Sequence, residues 1–305
     1  MRNFIRSCAV HILLPVTAIA ALSAMTLSSI SLSAMAQDSA HSWQKQYTLS
    51  GAAALTIETG DSAIAIHTCG DCTTLRIAVD STRNLSDFRL EEHQEGGHVF
   101  FLFKEKPRPI HFAMHWNEGA KTHVTVETPA KLALEAHSVD GGVTAEGIEG
   151  TIQIRAIDGS VDLTHVQGAL HLQTSDGGIH VHESSGTIQA RTSDGHLNVD
   201  GNFSALELRS SDGEVRVALS PGTRLESASQ IQSSDGKVAV VLPKDFSADL
   251  DVSTSDGHVD CVLPVSIEHF DSHDSGHHNL RGKLNAGGVP LTIHTSDGSV
   301  HITAI

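Results

Sequence analysis

From residue 130 onward the chain alternates apolar and polar positions in short runs that restart on a ruler. Asp-Gly pairs stand at 140, 158, 176, 194, 212, 235, 256 and 297, with the first four intervals eighteen residues each and the next three 23, 21 and 41. Three residues after each Asp comes an apolar side chain: Val143, Val161, Ile179, Leu197, Val215, Val238, Val259 and Val300. Five residues after it comes another small or apolar one: Ala145, Leu163, Val181, Val199, Val217, Val240, Cys261 and Ile302. A second pair follows in the regular stretch, Ile152/Ile154, Leu170/Leu172, Ile188/Ala190 and Leu206/Leu208. Alternation of this kind predicts strands with one buried face. Two such strands per repeat predict a coil that returns over its own start, burying its apolar side only against neighbouring coils. The expectation is an all-β protein, a parallel β-helix or β-solenoid over residues 130–305 with about eighteen residues per coil. Right-handed winding follows from the crossover rule.

The same ruler assigns jobs at the corner. Glycine is expected to supply a positive φ and Asp an Asx-turn, while the Ser or Thr two residues earlier points inward by parity, so that stacked hydroxyls bond along the column. A calcium β-roll also uses eighteen-residue coils, but it builds them from Gly-Gly-x-Gly-x-Asp nonapeptides. This chain lacks them, and one Asp per repeat falls short of the six to eight oxygens that calcium takes. The corner therefore reads as architecture.

Two regions depart from the ruler. Arg2 and Arg6 precede an apolar run from Ala9, and Ala34-Met35-Ala36 makes a small-x-small site before Gln37. Residues 1–36 accordingly read as a signal peptide, which places the mature chain in the periplasm, at the cell surface or outside the cell, with no membrane span. Residues 37–129 carry strand-like pieces at 55–57, 63–66, 75–79, 99–103 and 123–126. They are expected to form an irregular β region that begins and caps the solenoid. At the other end "VHITAI" has no cap after it, so self-association through a C-terminal edge is expected.

Charge narrows the partners. The chain holds 36 acidic and 20 basic residues, a net of −16 with histidine neutral. Without Arg2 and Arg6 the mature chain would carry −18. Such a surface disfavours nucleic acid, which demands a basic face. Twenty histidines remain after residue 36, and protonating them all would bring the net charge to +2, so mild acid is expected to alter binding or solubility.

Candidate chemistry is sparse. Cys69 and Cys72 form a CxxC over a turn; in an oxidising compartment a local disulfide is the simplest reading, since a redox motif wants a βαβ setting and a zinc site two more ligands. Cys261, at an inward position, reads as buried and unpaired. His269, His273, His277 and His278 cluster in "HFDSHDSGHH"; their spacing suits zinc, copper or nickel, against the alternative of a His-rich surface loop. Arg155, Arg191 and Arg209 fall in one outward column interrupted by Gln173, the arrangement of solvated or acid-paired guanidiniums. A carbohydrate-cleaving β-helix would want paired carboxylates and aromatic platforms, yet Trp43 and Trp116 lie outside the regular coils. No nucleophile elbow, P-loop, zincin or dinucleotide fingerprint is present, and no cofactor is implied.

The repeated SxDGxhxh unit (h apolar), the segment "LRGKLNAGGVPLTIHTSDGSVHI" (280–302) and "GAAALTIETGDSAIAIHT" (51–68) resemble a bacterial putative adhesin domain of unknown function. That resemblance covers about residues 50–305 and implies an exported β-solenoid. It carries no catalytic residues over. The expected function is a non-enzymatic cell-envelope interaction scaffold with an unidentified protein or surface partner. A metal- or pH-responsive His-rich binding protein and a carbohydrate-active β-helix enzyme are the alternatives.

Overall fold

The computed structural model describes residues 39–107, 121–272 and 278–305. The expected signal peptide and Trp116 lie outside the described residues. Among the described residues the chain is all-β, with one 3-10 turn at Leu85–Asp87 and no helix long and apolar enough to cross a membrane.

Before residue 129 come β1 (Ser42–Thr48), β2 (Ala54–Thr59), β3 (Ala63–Thr68), β4 (Thr74–Ser81), β5 (Phe88–Glu95), β6 (His98–Glu105) and β7 (Thr122–Thr128). The regular stretch follows with β8 (Ala133–Ser138), β9 (Val143–Glu146), β10 (Glu149–Ala156), β11 (Val161–Thr164) and β12 (Gln167–Gln173). It continues through β13 (Ile179–Thr192), β14 (Leu197–Ser210), β15 (Val215–Leu219), β16 (Ser229–Ser233) and β17 (Val238–Leu242). The last six are β18 (Ala248–Thr254), β19 (Val259–Cys261), β20 (Val265–Ser272), β21 (His278–Leu284), β22 (Pro290–Thr295) and β23 (Val300–Ala304).

These strands build two faces around one apolar interior, the architecture of a β-solenoid-like fold. On the first face the order is β5-β6-β2-β8-β10-β12-β13-β14-β16-β22-β18-β21-β20. On the second it is β1-β4-β7-β3-β9-β11-β13-β14-β15-β17-β23-β19. β13 and β14 run from one face into the other without a break, so all twenty-three strands share one hydrogen-bonded network. The interior strands pair in parallel, and antiparallel partners occur only towards the ends. Register follows the ruler where the repeat is regular: Glu149 pairs with Gln167 and Ile179 with Leu197, each eighteen positions on.

Each apolar column of the sequence becomes a continuous stack. Val143, Val161, Ile179, Leu197, Val215, Val238 and Val300 are all buried, as are Leu163, Val181, Val199, Val217, Val240 and Ile302. Burying each Val, Leu or Ile side chain is worth about 1.5–3 kcal/mol. The columns fade at β19, where Val259 and Cys261 are only half-buried because no coil covers their far side. Cys261 thus departs from the expectation of a fully buried thiol; burial still pushes its pKa upward.

The structure corrects the reading of the Asp-Gly corner and of the C-terminal edge. At the Asp-Gly corner the glycines have ordinary φ; within the regular coils the positive-φ glycines sit at the opposite corner, as at Gly150, Gly168 (φ +134°) and Gly186. What Gly177 requires is space, since a Cβ there would overlap the backbone carbonyl of Gly159 in the coil before. All eight corner Asp side chains are exposed and form no hydrogen bond with described residues, so no Asx-turn is made. The hydroxyl two residues earlier closes the turn instead. Thr174 Oγ1 accepts the Gly177 N–H at 3.1 Å and donates to the Ile157 carbonyl, also at 3.1 Å. Thr192 repeats the pattern with Gly195 and Ser175, while Ser210 and Ser233 accept from Gly213 and Gly236. The buried hydroxyls therefore bond along the stack through backbone carbonyls rather than mainly to one another.

The final coil is not terminal in space. β22 lies between β16 and β18, and β23 between β17 and β19. "VHITAI" is therefore an interior strand, and its pairing partners on both sides remove it as an edge for self-association. The open edges at that end belong to β19 and β20. A matching insertion occurs near the start, where β2 lies between β6 and β8 and β3 between β7 and β9.

Candidate interaction surface

Because inward positions are committed to packing, chemistry is left to the outward side chains, and parallel register aligns these into columns one strand spacing apart, about 4.8 Å. On the first face Arg155, Gln173, Arg191 and Arg209 occupy one column. Two residues upstream runs a second column, Gln153, His171, Gln189 and Glu207, whose role the sequence reading did not assign. The same period, offset by two, would have found it.

Glu207 organises this patch. Its Oε1 accepts from Arg191 at 2.7 Å and lies 3.2 Å from Arg209, while its Oε2 accepts from Gln189 Nε2 at 2.9 Å. Gln189 Oε1 in turn accepts from His171 Nδ1 at 3.1 Å. Between β10, β12 and β13 the two columns leave a hollow of about 270 Å³ lined by Gln153, Arg155, His171, Gln173, Gln189 and Arg191. Arg155 stands in it exposed and makes no hydrogen bond or ion pair with any described residue.

The second face carries histidines paired with acids on the following coil. His165 Nε2 lies 2.6 Å from Glu183 Oε2, and His182 Nδ1 lies 2.7 Å from Asp200 Oδ1. The hydrogen bond and charge of Asp200 raise the His182 pKa. His165 (φ +54°) and Glu183 (φ +47°) both hold a left-handed backbone, in register with Gly147 (φ +74°), so this corner tolerates side chains that point into solvent.

The remaining candidates fall as follows. Cys69 and Cys72 bracket the turn between β3 and β4 with Cα atoms 5.8 Å apart and their sulfurs in bonding contact. That turn borders a second, more open hollow of about 850 Å³, lined by Leu49, Ala52, Ala53, Pro129 and Leu132 among others. Of the histidine cluster, His273 and His277 lie outside the described residues, and so does the side chain of His269. His278 opens β21 half-buried, opposite Thr254. Among the described residues no group of three or more His, Cys, Asp or Glu side chains is arranged to hold a metal ion.

Among solved structures the chain is similar to a putative cell adhesion protein of Clostridium sporogenes, at 10% identity and a TM-score of 0.23, over 86% of this chain and 99% of that one. It is also similar to a putative lipid binding protein of Parabacteroides distasonis, at 14% identity and a TM-score of 0.39, over 87% and 97% of the two chains. A putative adhesin of Bacteroides fragilis aligns at 11% identity and a TM-score of 0.39, over 88% and 98%. No curated protein matches the sequence. Residues 50–303 match the family described as Toastrack DUF4097, which spans the whole stack from β2 to β23, and the chain belongs to that family.

Proposed function

We propose that this protein is exported, loses residues 1–36, and serves without catalysis as an interaction scaffold in the cell envelope. The carrying observation is the division of labour within each coil. Buried columns and closed corners repeat with little change, whereas the outward columns differ from coil to coil and leave Gln153, Arg155 and Gln173 without a bonding partner among the described residues. The proposal includes a right-handed coil of about eighteen residues, an N-terminal cap formed by β1 and β4–β7, and an oxidised Cys69–Cys72 pair, as befits a compartment outside the cytoplasm. Adhesin-like neighbours and the family assignment are compatible with a surface partner.

The test is fractionation of cells expressing the full chain, with mass spectrometry of the mature N-terminus and cross-linking of what it touches. A mature protein beginning at Gln37 in the envelope or medium is the expected result. An unprocessed cytoplasmic protein would overturn it.

A second reading, pH-responsiveness, is favoured by one observation, the histidine–acid pairs that tie successive coils together. In this reading His182 stays protonated to a higher pH than a free histidine. Its contribution to stability is then fully present below the unfolded-state pKa and fades as pH rises through the raised one.

A further inference from the structure

We propose that the hollow around Arg155 binds a linear glycan carrying carboxylates, laid along the stack across β10, β12 and β13. This deepens the scaffold reading by assigning the chemistry of its partner, and it rests on that reading for its biological setting.

Charge is the first argument. In a chain of net charge −16, the column of Arg155, Arg191 and Arg209 is flanked in the neighbouring column by two carboxylates, Glu207 on β14 and Glu135 on β8. Glu207 is already shared by Arg191, Arg209 and Gln189, which occupy both of its oxygens. On the other side of the hollow, Glu135 of β8 is turned to His137, 3.1 Å away. Arg155 therefore keeps its full set of guanidinium donors in a pocket where no carboxylate answers it. A planar fork of that kind fits a carboxylate in two parallel hydrogen bonds.

Chemical lining is the second argument. Every outward side chain of the hollow is a hydrogen-bonding group, namely three Gln, one His and two Arg, and none is an acid. Gln153 and Gln173 spend no amide on a described neighbour. The His171–Gln189–Glu207 chain fixes the direction of the Gln189 amide and leaves His171 Nε2 free to meet a ligand hydroxyl. Such a floor suits a ligand polar along its whole length. It offers no apolar pocket for the side chains of an acidic peptide.

Spacing is the third. Arg155 and Arg191 are two coils apart, about 10 Å at the strand spacing. In an extended 1,4-linked uronate the residues alternate in facing, so carboxylates on one side recur at every second sugar. One carboxylate can meet Arg155 while the next on that side meets Arg191, with Gln173 between them for hydroxyls. Nucleic acid does not fit, because the basic patch is only a few coils long.

The test uses the purified mature chain and titration calorimetry with oligogalacturonates of increasing length. Saturable binding that strengthens from monomer to tetramer and weakens with salt is expected. Arg155→Glu should weaken it at least about tenfold, the usual loss for one charge-assisted pair. Gln173→Ala should weaken it less. Arg224→Gln, which removes another exposed arginine free of ion pairs in the β15–β16 loop, should leave it unchanged. Thermal melts of the variants separate lost binding from lost folding. The proposal is overturned if the oligomer does not bind, if a neutral cello-oligosaccharide or polyglutamate of matched length binds as tightly, if the monomer equals the tetramer, or if Arg155→Glu has no effect. Binding is measured on purified protein and export in cells, so a cytoplasmic location would remove the scaffold reading while leaving the site standing.

Discussion

Each coil turns twice, and glycine serves at both turns for different reasons. At the Asp-Gly corner the backbone is ordinary and glycine is needed because the coils press together there; a Cβ at Gly177 has no room beside the Gly159 carbonyl. At the opposite corner Gly168 has both constraints, a φ of +134° and a Cβ that would overlap the carbonyl of Gly150. That second turn also exposes positions such as His165 and Glu183, where a left-handed residue carries a solvent-facing side chain. One corner is closed by a buried hydroxyl and is nearly invariant along the stack. The other varies in sequence and presents charge. Repetition of a residue type is thus poor evidence for a shared cause.

Substitutions can separate the two. The largest effect is expected for Gly168→Ala, which meets backbone strain and overlap together, at about 4 kcal/mol from urea denaturation. Gly177→Ala has the overlap alone and should cost about 3 kcal/mol. Equal losses would mean that φ contributes nothing at the second corner. Thr192→Val keeps the shape but leaves the buried Gly195 N–H without its acceptor, for a loss of about 1–3 kcal/mol. Asp176→Ala removes an exposed carboxylate without hydrogen bonds and should stay within about 0.5 kcal/mol of wild type. A loss near that of Thr192→Val would return a structural role to the Asp. Smallest, and specific to the charged corner, is the Asp200→Asn change. By NMR it should lower the His182 titration midpoint toward that of an ordinary histidine and flatten the fall in stability as pH rises through it, while leaving the Asp-Gly corner unaffected.

Much of the fold could be read from particular residues. The +3 and +5 positions named the interior, and outward His180, His182, His196 and Asn198 are exposed as parity requires. The strand-like pieces before residue 129 fall within β2, β3, β4, β6 and β7, whereas β1 and β5 gave too weak an alternation to be seen. For the candidate surface, the arginine column was legible from spacing alone. The state of Arg155 was not, because it depends on Glu207 being consumed by Arg209 on its own strand and by Gln189 and Arg191, which are eighteen and sixteen residues away in sequence and adjacent to it only after coiling. Nor was the cause of the corner glycines, since overlap with another coil leaves no local mark.

By itself the sequence determined the period, the buried columns, the hydroxyl and glycine of the corner, and the rows of outward side chains, because each follows from side-chain alternation within one coil. Only the tertiary structure decided the order in which coils stack. The chain lays β18 and β19 down, turns through β20 and β21, and returns to place β22 and β23 beneath them. Asp-Gly coils present nearly the same backbone edge and the same apolar floor, so any of them can pair with any other. The choice rests on the antiparallel β20–β21 pair that leads the chain back, a contact with no counterpart in the repeat.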